Sequence, residues 1–88
     1  MFKLTEETEN RLLVEITLPE GRPQIALVQE AKTEIKELKD HFYGKKVRLN
    51  GRLTTGMALM LGHELCHICK SVEIFDPKEN AYLTCISH

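Results

Sequence analysis

The side chains able to do chemistry crowd into the last third of the chain. His63, Cys66, His67, Cys69, Asp76, Cys85 and His88 are seven possible metal ligands or acid–base groups within 26 residues, and His41 is the one histidine elsewhere. Three ligand sets compete. His63-Glu64-Leu65-Cys66-His67 fits the pattern H-E-x-x-H, in which two imidazoles four residues apart share a helical face and hold zinc beside a carboxylate base. A protease also needs a third ligand and a substrate groove, and 88 residues leave little chain for either. Cys66-x-x-Cys69 and Cys85-x-x-His88, fifteen residues apart, suit a tetrahedral structural zinc site that would stabilise so small a chain. No glycine-containing knuckle accompanies the first pair, and Cys85 sits among apolar residues of the kind that bury a free thiol. The third set joins His63 or His67 with Asp76 and His88, and imidazole with carboxylate suits manganese as well as zinc. Each residue also has a plain reading. A histidine can be satisfied by a backbone carbonyl, Asp76 can simply open the turn at Pro77, the cysteines can be small core residues, and His88 can fray.

A basic run, Lys45, Lys46, Arg48 and Arg52, precedes this cluster. It reads as a solvated strand edge or as a phosphate contact. Gly51 lets backbone approach a ligand closely, and Arg52 can take a phosphate in a two-point grip. No glycine-rich loop of the P-loop or dinucleotide type is present. Lysine plus arginine is 12 and aspartate plus glutamate 13, a net of −1. That excludes a bulk positive field for long duplex nucleic acid, while a small anion in a local pocket stays allowed. Aromatic residues, 6% of the chain, are too few for a stacking platform along single strands.

The elements that must position these groups follow from periodicity. Phe2-Lys3-Leu4 begins the chain, and the polar stretch Thr5 to Asn10 reads as loose or turning. Leu12, Val14, Ile16 and Leu18 alternate as in a strand with one buried face. Pro19 to Pro23 ends it, and a helix is predicted from about Pro23 to Tyr43, with Val28, Ala31, Ile35, Leu38 and Phe42 on one face and Gly44 as its stop. A short strand around Val47-Arg48-Leu49 and a tight turn at Asn50-Gly51-Arg52-Leu53 come next. Thr54 or Thr55 caps a second helix over about Gly56 to Cys66. That helix is apolar nearly all round and is expected to be covered by another subunit. Val72 to Phe75 and Tyr82 to Ile86 are strands joined by the turn Asp76 to Asn80.

The order (β)β-α-β-α-β-β predicts one α+β domain over residues 1–88: a small ferredoxin-like sandwich, with a mainly antiparallel sheet and two helices on one face. At 10.1 kDa its core is small, so a metal or partner subunit is expected to support it. The start lacks an apolar signal core, and the longest apolar run, Met57 to Leu61, is far short of the roughly 20 residues of a membrane span. Three cysteines are an odd set for a secreted scaffold, so reduced thiols and a cytoplasmic location are expected, with no membrane association.

Taken in order, Asn50-Gly51-Arg52, a helix ending in Leu61-Gly62-His63, Ile74-Phe75-Asp76-Pro77-Lys78 and the closing Ser87-His88 resemble the small manganese-dependent ring nucleases of type III CRISPR systems. The motifs span about 39 residues, and the first half matches in layout alone. The resemblance implies a ferredoxin-like fold and a phosphodiesterase that degrades cyclic tetra-adenylate, a second messenger of antiviral defence. It further implies a homodimer, with a tetramer or ligand-bridged head-to-tail assembly enclosing the ring. Carried over residue by residue, His63, Asp76 and His88 become the manganese and reaction candidates. Lys46, Gly51, Arg52, His67 and Lys78 become ligand contacts. The chain departs from the family at Lys78, usually arginine, and at Leu53-Thr54-Thr55, where the family tends to have glycine-proline. Cys66 and Cys69 lie outside the family signature. The alternative is a zinc-stabilised α+β module, with Cys66, Cys69, Cys85 and His88 as ligands, that binds a protein or RNA partner without catalysis.

Overall fold

A computed structural model describes residues 1–88. Leu12, Val14 and Ile16 are all buried along one side of β2 (Arg11–Ile16), as their alternation requires. β1 (Phe2–Thr8) pairs antiparallel with β2, running further than expected. The polar stretch is therefore mostly strand, and only Glu9-Asn10 turns, where the Asn10 amide donates to Thr8 Oγ1 at 3.2 Å. At a sheet edge, polar side chains are compatible with a strand because one side of it meets water.

The first helical segment is divided. α1 (Gln24–Glu37) buries Leu27, Ala31 and Ile35. It breaks at Leu38, and α2 (Lys39–Phe42) follows. The predicted unbroken helix to Tyr43 fails because the His41 amide donates to Leu38 O, three residues back, at 2.9 Å. That tightening accompanies the complete burial of Phe42. β3 (Lys46–Gly51) includes Asn50 and Gly51, so the predicted turn there is strand, and the chain leaves the sheet only after Gly51. α3 (Thr55–Cys66) starts at Thr54, whose Oγ1 accepts from the Met57 amide at 3.3 Å. β4 (Ser71–Asp76) and β5 (Ala81–Ser87) close the chain as a hairpin.

The result is a small α+β domain with a mixed five-stranded sheet, ordered β1-β2-β3-β4-β5, and three helices. β2, β3 and β4 run parallel, and β1 and β5 pair antiparallel at the two edges. The expected mainly antiparallel sheet is thus evenly mixed. α1 and α3 are each the crossover between neighbouring strands, and a crossover returns the chain in the same direction. α1 packs against α3, which places both on one face. The core lies between them and the sheet: Leu27, Met57, Leu61 and Leu65 from the helices meet Leu12, Val14, Val47 and Leu49. The opposite sheet face carries no helix. α3 remains bare on its outer side, where Leu59 is 77% exposed. No helix is long and apolar enough to cross a membrane.

Candidate functional site

The candidate residues sit at two opposite ends of the sheet. β4 enters at Ser71 and leaves at Asp76, while Ser71 faces Ser87 and Asp76 faces Ala81 in the hairpin. His88 therefore lies at the entry of β4 and Asp76 at its exit. Five steps of about 3.3 Å put them roughly 17 Å apart along the strand.

The histidine end gathers three of the four histidines. α3 runs back toward the start of β4, so His63 and His67 arrive together at its C-terminal end. Their rings meet edge to face, with centroids 4.9 Å apart and planes at 85°. β5 delivers His88 to the same place, where its Nε2 lies 2.9 Å from Cys66 O and its amide donates to Lys70 O at 3.1 Å. The Cys66 thiol donates to His63 O at 3.0 Å, so His63, Cys66 and His88 form one chain of polar contacts that caps the carbonyl end of α3. Lys46 starts β3 alongside, opposite Arg11 and Ser71. All three histidines are exposed.

The other end gathers Gly51, Arg52, Asp76 and Lys78. Gly51 finishes β3 at φ +143, and a Cβ built there would stand 2.3 Å from Ile16 O on the neighbouring strand. Glycine is therefore required by close backbone approach within the sheet, whatever else approaches it. Asp76 Oδ1 accepts from the Lys78 amide at 3.0 Å, which is the turn-opening role anticipated for it. Arg52 is exposed and borders a concavity of about 520 Å³ at the exits of β2 and β3, with Arg22 across it. Arg22 was not anticipated from sequence. It stands in a Gly-Pro loop, far from the other candidates in the chain, and its guanidinium pairs with Glu30 at 2.5 Å.

Neither complete metal set converges within one chain. His63 and His88 both sit at the C-terminal end of α3, but Asp76 is at the far end, so the imidazole–carboxylate set does not fit one ion in a single copy. The Cys66, Cys69, Cys85 and His88 set does not converge either. Cys69 is buried, and burial first, then the neighbouring Cys66, pushes its thiol up to about 12. Cys85, expected among buried apolar positions, is exposed beside the irregularity that shifts register between Val72 and Glu73. Its thiol turns to Leu83 O in its own strand. Cys85 is itself the extra residue of that bulge, between Thr84 opposite Glu73 and Ile86 opposite Val72, which takes it out of the inward alternation that the sequence suggested. In the H-E-x-x-H pattern, Glu64 is engaged by Lys32 at 3.6 Å.

No protein-family model, curated protein or solved structure matches this chain.

Proposed function

We propose that this protein is a metal-dependent phosphodiesterase that opens cyclic tetra-adenylate, and that its site is shared between copies. The observation that carries the reading is the division of the motif residues. Imidazoles with Lys46 stand at one end of the sheet, and Arg52, Asp76 and Lys78 at the other. Two copies stacked head to tail would bring the histidine end of one onto the carboxylate end of the next. An imidazole–carboxylate set for manganese is complete only at such a junction. The ferredoxin-like assignment belongs with this reading and rests on one helical layer over one sheet.

The chain's own groups have distinct tasks at that junction. Arg52, Lys78 and Lys46 hold the phosphate oxygens of a ring with four phosphodiesters, Arg52 with its planar fork and the lysines as point charges. His63 and His67, in mutual contact and open to solvent, are placed to move a proton between the attacking oxygen and the leaving oxygen. The bond broken is a P–O ester bond. A 2′,3′-cyclic phosphate end on the product marks attack by the neighbouring ribose hydroxyl, and a terminal phosphomonoester marks attack by water.

The deciding experiment is cleavage of labelled cyclic tetra-adenylate by metal-stripped protein, with and without added manganese. Cleavage restored by manganese, and lost on dilution to the monomer at constant metal, is the expected result. An undiminished rate from a proven monomer, or no cleavage by folded, assembled protein, overturns the proposal.

A further inference from the structure

We infer that the uncovered face of the sheet holds an anion site for a phosphate monoester dianion, at the entries of β3 and β4. A concavity of about 450 Å³ opens there, and no apolar residue lines it. Arg11, Lys46, Arg48 and Lys70 converge on it, with Glu73 as the one carboxylate in its lining and Glu7 paired to both arginines. In a chain of net charge −1 this is a marked local excess.

The cations are not equivalent. Arg48 is already committed. Its Nε lies 3.4 Å from Glu73, its Nη1 lies 3.9 Å from Glu7, and its guanidinium stacks 4.3 Å over the Tyr82 ring. Glu73 is thereby neutralised as well. Arg11 is committed as well, since its Nε is shielded from solvent and faces Glu7 Oε1 at 3.4 Å. Lys46 and Lys70 form no ion pair with any carboxylate of the chain. The basin thus offers two free positive charges, those of Lys46 and Lys70. The hydroxyls of Ser71 and Ser87 stand on its rim.

Two free charges match a dianion, and converging N–H and O–H donors match tetrahedral oxygens. The absence of apolar lining argues against a site built around a base or lipid chain. Orthophosphate and the terminal phosphate of a nucleotide share this chemistry. The inference shares Lys46 and His88 with the proposed ring-cleaving junction but requires no cleavage, no metal and no second copy.

Titration calorimetry on the metal-stripped full chain at low ionic strength tests it, with orthophosphate, adenosine monophosphate and adenosine as probes. Orthophosphate and the nucleotide are expected to bind once per chain, adenosine not at all, with affinity falling as salt is added. A nucleotide that binds much more tightly than orthophosphate assigns a nucleotide source, and equal affinities assign free phosphate. Lys46→Met and Lys70→Met are each expected to weaken binding about tenfold, with unchanged circular dichroism because both side chains are exposed. Lys39→Met, on α2, is expected to leave binding unchanged. No binding of either phosphate probe, equal binding of adenosine, or a loss caused by Lys78→Met rather than by Lys70→Met overturns the assignment. Because no cyclic substrate is used, its failure and the failure of ring cleavage are separate results.

Discussion

The two ends of the sheet are held in different ways. At the exit end of the parallel strands the backbone does the holding. Gly51 leaves no room for a Cβ against Ile16 O, Thr54 caps α3 through the Met57 amide, and Asp76 fixes its turn through the Lys78 amide. At the entry end the functional groups are exposed side chains, tied by single contacts such as His88 Nε2 to Cys66 O. The first end is fixed by sterics that tolerate little change, whereas the exposed side chains of the second end make few contacts that the fold depends on. Substitutions at the histidine end therefore read out chemistry, and substitutions at Gly51 read out architecture.

The sharpest test of the two-ended reading is complementation. His63→Ala and Arg52→Ala should each abolish ring cleavage, because each removes one half of every junction. Mixed in equal amounts, they should regain about a quarter of wild-type activity through junctions that join one intact half from each variant, given heterologous head-to-tail contacts. A mixture as inactive as its components would place both halves in one copy and end the comparison.

The next effect concerns architecture. Gly51→Ala should cost about 2–4 kcal/mol, the combined cost of forbidden backbone geometry and a steric clash, and urea denaturation will measure it. Gly44 also has positive φ, +72, but nothing lies within 4 Å of an added Cβ. Gly44→Ala should therefore cost only about 1 kcal/mol. Equal losses at the two glycines would show that the close approach to Ile16 does not set the geometry of the exit end.

Cys69 and Cys66 give a smaller contrast at the histidine end. Cys69→Ser places a hydroxyl in a buried site and should cost about 1–3 kcal/mol, while Cys66→Ser should be nearly neutral. A zinc-held fold would instead lose its structure with either change. The pH dependence has a definite sign. The Cys69 thiol is raised from 9.0 to about 12 by burial, then by Cys66, so between those values the unfolded chain gives up a proton that the folded chain keeps. Its contribution to stability is present below pH 9 and is lost as pH rises toward 12. The fall in stability over this range should be shallower in Cys69→Ala than in wild type.

What the sequence made legible was local. The alternation Leu12, Val14, Ile16 located β2 and its buried face, and Ala31, Ile35 and Phe42 marked the inward side of the helical segment. Thr54 was one of the two threonines foreseen as a cap, and the β4–β5 hairpin was foreseen from its turn residues. What stayed hidden depends on pairing between distant segments. Asn50-Gly51 has the composition of a turn, but parallel pairing with Glu15 and Ile16 keeps it in strand. The separation of Asp76 from His88 follows from hairpin register, and closeness in the chain conceals it. The Arg11 and Lys70 contribution to the basic basin was equally invisible, since residues 59 positions apart meet only because β2, β3 and β4 lie side by side.

The smallest expected effect separates role from structure at His88. Its imidazole makes one contact, with Cys66 O, at an exposed helix end, so His88→Ala should lower stability by less than about 1 kcal/mol. If His88 also serves the reaction, the same variant should lose ring cleavage by orders of magnitude while its urea midpoint barely moves. His88→Gln tests the distinction further. An amide nitrogen can still donate to Cys66 O and restore the cap, but it cannot exchange a proton near neutral pH. Activity that returns with the glutamine would make His88 a positioning residue that secures the end of α3. Activity that stays lost, in a variant as stable as wild type, would make the imidazole itself the reacting group.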